Sequence, residues 1–145
     1  MSLRDTLDLQ VRWGDLDAFN HVNNTLFLRY VEEARIHLFR NIEGEWENAE
    51  AGPVVVNLNC NFRREIRYPA TVRVLTEAVQ ASDKRMVMHH RLVDAEDEER
   101  HYADAEVTAV WVSKKGGGSI PLPSVVRDAP ALCGGWAGEC GPGPE

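Results

Sequence analysis

The periodicity of hydrophobic residues divides this chain into one strand, one helix and four further strands. Apolar and polar residues alternate at 6–13, which is typical of a strand with one buried face. At 25–39 the apolar residues recur at helical spacing, which predicts an amphipathic helix. Alternation then returns at 54–62, and three further segments, at 71–79, 86–94 and 102–113, are rich in the valine, threonine, methionine and aromatic residues that favour strands.

Two of these segments predict which side chains are buried. The helix is expected to bury one apolar side, made of Phe27, Tyr30, Val31, Ala34 and Leu38. The segment 54–62 is expected to place five apolar residues on one face, namely Val54, Val56, Leu58, Cys60 and Phe62. The opposite face of 54–62 is mostly asparagine. The apolar surface of the helix is widened by Leu26, Leu28, Ile36 and Phe39, so the helix is expected to be covered on more than one side.

This order of elements favours an α+β architecture in which one helix packs on an antiparallel sheet. A lone helix cannot cover a broad sheet, and sheet edges must be paired or protected. We therefore expect a homodimer or a homotetramer. Glycine and proline enrichment after about residue 130 predicts a flexible tail at 130–145, which leaves 1–129 as the folded domain.

Charge and hydropathy exclude several classes of function. The 145-residue chain has a formal net charge of −7 and a pI near 5.2, which argues against a nucleic-acid partner. It has no apolar run long enough to span a bilayer, and its first residues lack the apolar stretch of a signal peptide. We therefore expect a cytoplasmic protein without a membrane partner.

No motif in the sequence predicts a metal or an organic cofactor. His89 and His90 are adjacent in a strand, so they point to opposite faces and cannot share one metal ion. Cys133 and Cys140 lack the spacing of a metal site, and Gly-rich phosphate-binding motifs are absent. Catalysis, if present, should rest on side chains and backbone groups alone.

The richest chemistry lies in the loop 14–24, immediately before the helix. It holds two carboxylates, Asp15 and Asp17, together with His21 and several carboxamides. A helix N-terminus offers unpaired backbone N–H groups and a partial positive charge, which can stabilise an oxyanion. A nearby carboxylate can act as a nucleophile or a base, so both parts of an acyl-transfer site are close in sequence.

Each of these residues also has a structural interpretation. Asp17 could cap a turn, and Asp15 is expected to bond the N–H groups of the loop. Asn23 and Asn24 suit the N-cap and the first turn of the helix, and either could also orient water or substrate. His21 could serve as a base, a proton donor or an orienting group.

The motif Trp13-Gly14-Asp15-Leu16-Asp17, followed by His21-Val22-Asn23-Asn24 and an apolar helix, resembles the hotdog-fold acyl-CoA thioesterases of the 4-hydroxybenzoyl-CoA thioesterase-like family. The resemblance extends from about residue 5 to residue 127. It implies a five- to six-stranded antiparallel sheet wrapped around one long helix, with active sites at a dimer interface. It also implies thioester hydrolysis without a cofactor.

By position, the resemblance assigns catalysis to Asp17 and the oxyanion-binding N–H to the region of Asn24, with His21 and Asn23 as further catalytic candidates. Candidate substrate contacts are Phe19 and Tyr30 for the acyl group, and Arg63, Lys84 and Arg85 for the phosphates of CoA. The segment Ala18-Phe19-Asn20 departs from relatives that act on aromatic acyl groups. The implied substrate is therefore an acyl-CoA or acyl-carrier-protein thioester of undefined acyl group.

Two other functions fit parts of the same pattern. A hotdog hydratase or dehydratase would use an Asp–His or His–Glu pair on an intact thioester, but the motif here lacks the Asn-Pro dipeptide of that class. A non-catalytic acyl-binding module would not need Asp17, because a carboxylate beside an acyl group is costly without a task.

Overall fold

Six strands form a single antiparallel sheet in the computed structural model of this chain, which describes residues 4–42 and 44–127. The strands are β1 (Arg4–Gln10), β2 (Ala51–Phe62), β3 (Thr71–Ala81), β4 (Arg85–Asp94), β5 (Asp97–Ser113) and β6 (Ser119–Ile120). Their order across the sheet is β1-β3-β4-β5-β2, and β6 pairs with the end of β5. The helices are α1 (Asn24–Arg40) and the short α2 (Ser124–Arg127). The predicted α+β architecture with one long helix is confirmed.

Helix α1 packs on the face of the sheet that we call the inner face. It buries the apolar side expected from its sequence, and Phe39 in addition. Alanines on β5, at positions 103, 105 and 109, are buried on the inner face, where they offer little side-chain bulk. None of the helices in the described ranges is long and apolar enough to cross a membrane. The predicted tail at 130–145 lies outside the described residues.

Several predicted strand boundaries are wrong, and β2 begins at Ala51 rather than residue 54. The first strand ends at Gln10 rather than residue 13, because Trp13 begins a 3₁₀ turn that ends at Asp15. Trp13 is 75% exposed instead of buried. The last long strand begins at Asp97, since a tight turn at Ala95–Glu96 replaces the longer turn expected from the acidic residues there.

Strand β2 does not keep one apolar face, because a β-bulge interrupts its alternation. Val55 pairs with Ala109 and Asn57 pairs with Thr108, so Val56 is an extra residue. The bulge places Val54 and Leu58 on opposite faces of the sheet. β2 is also an edge strand, and apolar side chains along it remain 37–52% exposed, namely Val54, Val56, Leu58 and Phe62.

His90 is a histidine enclosed in the core, on the inner face of β4. Its Nδ1 lies 2.9 Å from the Thr76 hydroxyl, and its Nε2 has no hydrogen-bond partner among the described residues. Burial lowers the pKa of His90 to about 3, and the charges of Arg35 and His89 act in the same direction. The ring is therefore neutral in the folded protein at neutral pH.

We expect His90 to make the fold sensitive to mild acid. Below the unfolded-state pKa of about 6.5, the unfolded chain binds a proton at this ring while the folded chain does not, so stability falls as pH falls. At pH 5 the loss is about 2 kcal/mol. His90→Met should remove this part of the pH dependence, as measured by urea unfolding at pH 7.5 and pH 5.

The matched control is His89→Gln on the opposite face of β4, where His89 Nε2 lies 2.9 Å from Glu106. It should keep the acid sensitivity that His90 causes. If the free energy of unfolding fell by the same amount from pH 7.5 to pH 5 in His90→Met as in wild type, this assignment would be contradicted.

Candidate active site

A short hairpin at 16–22 holds two of the four predicted catalytic residues, Asp17 and His21. Leu16 and Val22 form an antiparallel bridge, and the Asp17 N–H donates to the His21 carbonyl at 2.9 Å. The three-residue loop between Asp17 and His21 ends in Asn20, which has φ of 65°. Asparagine tolerates this left-handed conformation better than most residues do. Three-residue hairpin loops commonly end in a residue with this conformation. The hairpin thus places Asp17 and His21 opposite each other.

Asp15 has the structural role expected from the sequence. Its side chain is buried, and Oδ2 accepts the Arg12 N–H at 3.0 Å and the Tyr30 hydroxyl at 2.7 Å. Burial and this hydrogen bond raise the pKa of the Tyr30 hydroxyl. Asp15 therefore ties the 3₁₀ turn to the middle of α1. Tyr30, which was predicted to contact the acyl group, is buried beneath the loop within one chain and does not lie on an open surface.

Asp17 differs from Asp15 in its surroundings. Its Oδ1 accepts the Phe19 N–H at 2.8 Å, which is the turn-capping contact considered above. Its Oδ2 accepts no hydrogen bond from the part of the chain that the structure describes. Phe19, two residues further, is 77% exposed. One carboxylate oxygen thus fixes the turn, and the other is available to a substrate or water.

The N-terminus of α1 leaves one backbone donor available. Asn23 is the N-cap, and its Oδ1 accepts the Thr25 N–H at 2.9 Å. The Leu26 N–H donates to the Asn23 carbonyl at 2.8 Å. The Asn24 N–H has no acceptor within residues 4–42 and 44–127. The N-cap interpretation of Asn23 is confirmed. The Asn24 N–H is one of the unpaired donors that a helix N-terminus offers, and its role as an oxyanion donor stays a prediction.

The hairpin also brings in a residue that the sequence analysis missed. His21 Nε2 lies 3.1 Å from Oε1 of Glu65, which belongs to the segment between β2 and β3. The Val22 N–H donates to the Ile66 carbonyl at 2.8 Å and fixes this segment beside the hairpin. In the sequence Glu65 lies among arginines, and no local pattern links it to a histidine more than forty positions away.

The predicted phosphate contacts do not gather around Asp17 within one chain. Arg63 Nε donates to Asp104 at 2.6 Å, so this guanidinium already has a carboxylate partner. Lys84 and Arg85 follow β3 and have no ion pair among the described side chains. Strand β3 starts beside the hairpin and extends away from it for roughly 35 Å. Lys84 and Arg85 therefore lie at the opposite end of the sheet from Asp17.

Similarity to known proteins places the chain in a family. Residues 11–129 match the thioesterase-like superfamily. The long-chain acyl-CoA thioesterase FadM of Escherichia coli K12 is 30% identical over 122 residues, which cover 83% of this chain and 92% of FadM.

Two solved structures show the same fold. The PA2801 protein of Pseudomonas aeruginosa, assigned to the thioesterases, is 36% identical with a TM-score of 0.80, covering 88% of this chain and 97% of that one. The 1,4-dihydroxy-2-naphthoyl-CoA thioesterase Slr0204 of Synechocystis has a TM-score of 0.78 at 21% identity, covering 88% and 95%. The chain therefore belongs to the thioesterase-like superfamily and has the hotdog fold.

Proposed function

We propose that this chain is an acyl-CoA thioesterase that hydrolyses its substrate to a free acid and CoA. Asp17 is the reacting carboxylate, and the Asn24 N–H is the oxyanion donor. The observation that carries this assignment is that, among the described residues, the Asp17 Oδ2 has no hydrogen-bond donor and the Asn24 N–H has no acceptor, and that these two groups flank one short hairpin.

Two balanced routes are open to Asp17. In one, its Oδ2 attacks the thioester carbonyl and expels CoA thiolate, and water then hydrolyses the resulting anhydride. In the other, Asp17 takes a proton from a water molecule as that water attacks the carbonyl, and the tetrahedral adduct then collapses, breaking the C–S bond and releasing CoA thiolate, which is protonated. Both routes place negative charge on the carbonyl oxygen, and loss of one backbone donor at such a site costs roughly 10²–10³ in rate.

The acyl group is the part of the substrate that the chain defines least. FadM, which is similar to this chain, acts on long-chain acyl-CoA by its name. Phe19 is exposed at the tip of the hairpin and offers an apolar surface beside Asp17. These features support an aliphatic acyl chain as the first substrate to test, with CoA or acyl-carrier protein as the thiol carrier.

A second copy of the chain would complete the site. Exposed apolar side chains on the edge strand β2 need cover, and antiparallel pairing of β2 with β2 of another copy would supply it. Such pairing sets the Phe62 end of one strand beside the Ala51 end of the other. Lys84 and Arg85 lie near that Ala51 end, so the partner's cations come close to Asp17 and can bind the phosphates of CoA.

Thiol release from a panel of aliphatic and aromatic acyl-CoAs, with acyl-carrier-protein thioesters included, tests this function. We expect saturable thiol release, with a chain-length profile that identifies the acyl group. An intact thioester with altered unsaturation would instead indicate a hydratase or dehydratase. Saturable binding without any turnover would indicate an acyl-binding module.

A further inference from the structure

Glu65 contacts His21 from outside the hairpin and takes no part in either of the two routes proposed for Asp17. Its Oε1 lies 3.1 Å from His21 Nε2. Its Oε2 accepts the Nε–H of Arg67 at 2.6 Å, and the terminal nitrogen of the same guanidinium is also within ion-pair distance. The carboxylate is thus held from one side by an arginine and holds a histidine on the other.

Backbone hydrogen bonds next to Glu65 and His21 hold the two side chains beside each other. The Ile66 carbonyl, next to Glu65, accepts the Val22 N–H, next to His21. His21 in turn accepts the Asp17 N–H through its own carbonyl. Cross-strand neighbours such as Asp17 and His21 have Cβ atoms about 5 Å apart. A single chain of contacts therefore runs from Arg67 through Glu65 and His21 to the backbone of Asp17.

The contact with Glu65 decides which ring nitrogen of His21 can accept a hydrogen bond. A carboxylate only accepts, so Nε2 must carry the proton that lies between His21 and Glu65. In the neutral ring, Nδ1 then has the lone pair. Nδ1 has no partner within the described ranges. Carboxylates fix the tautomer and orientation of a histidine in this way in catalytic triads.

We propose that Glu65 is a positioning residue for the hydrolysis: it holds His21 so that Nδ1 accepts a hydrogen bond from the water that Asp17 handles, and Arg67 fixes Glu65 in place. This inference rests on the proposed function, because it assigns a role within the same site. It does not make Glu65 a group that touches the substrate.

The exposure of the pair separates this role from a purely structural one. His21 and Glu65 are both partly exposed to solvent, and ion pairs of this kind contribute about 0–1 kcal/mol to stability. Loss of the contact should leave the free energy of unfolding almost unchanged. Misplacement of a reacting group can cost up to about 10²-fold in rate. A kinetic defect in a fully stable protein is therefore the expected signature.

The test is a double-mutant cycle with Glu65→Gln and His21→Ala. We expect Glu65→Gln to lower kcat by roughly tenfold while KM stays within about twofold, because a carboxamide can donate as well as accept and so no longer fixes the tautomer of His21. In the His21→Ala background the same change should have no further effect, because Glu65 acts through His21. Arg67→Met should lower kcat in the same direction by less, and it serves as a second variant if Glu65→Gln folds poorly.

Glu98→Gln is the matched control, since Glu98 accepts a hydrogen bond from Arg73 at 2.8 Å and touches no residue of the candidate site. It should leave kcat unchanged. An unchanged kcat in Glu65→Gln, or an equal loss with and without His21, would overturn the inference. The NMR resonance of the His21 ring should move in Glu65→Gln and stay in place in Glu98→Gln, and this reports the contact independently of turnover.

The proposed function and this inference fail in different ways. If wild type releases no thiol from any thioester, the proposed function falls, whatever the His21 resonance shows. If wild type turns over and Asp17→Asn does not, while Glu65→Gln keeps full activity, only the positioning role of Glu65 falls.

Discussion

Replacing Asp17 by asparagine is expected to lower kcat for thiol release by about 10³-fold, within the range that a reacting general base or acid contributes. Asparagine has nearly the same shape and can still accept the Phe19 N–H through its side-chain oxygen, so the turn should persist. It can neither attack the thioester nor take a proton from water. Steady-state kinetics with the best acyl-CoA of the panel, and urea unfolding of the same samples, measure both effects.

The control for this variant is Asp8→Asn on the outer face of β1. Asp8 is an exposed carboxylate that accepts hydrogen bonds from Arg73, and no described residue of the hairpin bonds to it. It should keep wild-type kcat. Near wild-type turnover in Asp17→Asn would show that another group carries the reaction.

Replacing Val56 by aspartate should abolish both self-association and turnover. Val56 is the bulged residue of β2 and is 52% exposed on the free edge of the sheet. In a β2–β2 pairing, the two introduced carboxylates would be buried close together at an apolar contact. This is unfavourable because each carboxylate loses its hydration and because the two negative charges repel each other. Light scattering should report a monomer, and thiol release should fall close to background because the partner's Lys84 and Arg85 are lost.

Thr6→Asp introduces the same charge on β1, the opposite edge strand, at an exposed position. It should leave the mass and the activity of the oligomer unchanged. A Val56→Asp protein that stays dimeric, or a monomer that keeps full activity, would contradict the proposed assembly of the site.

The sequence predicts the fold well because its main elements are local. The apolar side of α1 and the strand-favouring composition of β3 to β5 are each read from residues close in sequence, and the structure confirms the helix and the three strands. The bulge at Val56 was not predictable from alternation, since both registers present apolar side chains there. The end of β1 was misplaced because Asp15, rather than any apolar residue, stops the strand by accepting the Arg12 N–H.

The candidate site was predictable only in part, for a similar reason. Asp15, Asp17 and the N-cap Asn23 belong to one continuous loop, so their separate environments follow from turn and helix chemistry. Glu65 reaches His21 through the packing of two distant segments, and no periodicity encodes that contact. The separation of Lys84 from Asp17 depends on strand order and length, which a list of basic residues does not contain.

That separation has a genetic consequence. If each site takes Asp17 from one chain and Lys84 with Arg85 from the other, two defective chains can complement each other. Consider a mixed dimer in which one chain carries Asp17→Asn and the other carries Lys84→Ala together with Arg85→Ala. One of its two sites then contains all the substitutions, and the other site contains none. Co-expression should therefore restore activity that neither parent has, whereas lesions confined to a site built within one chain could never be rescued in trans.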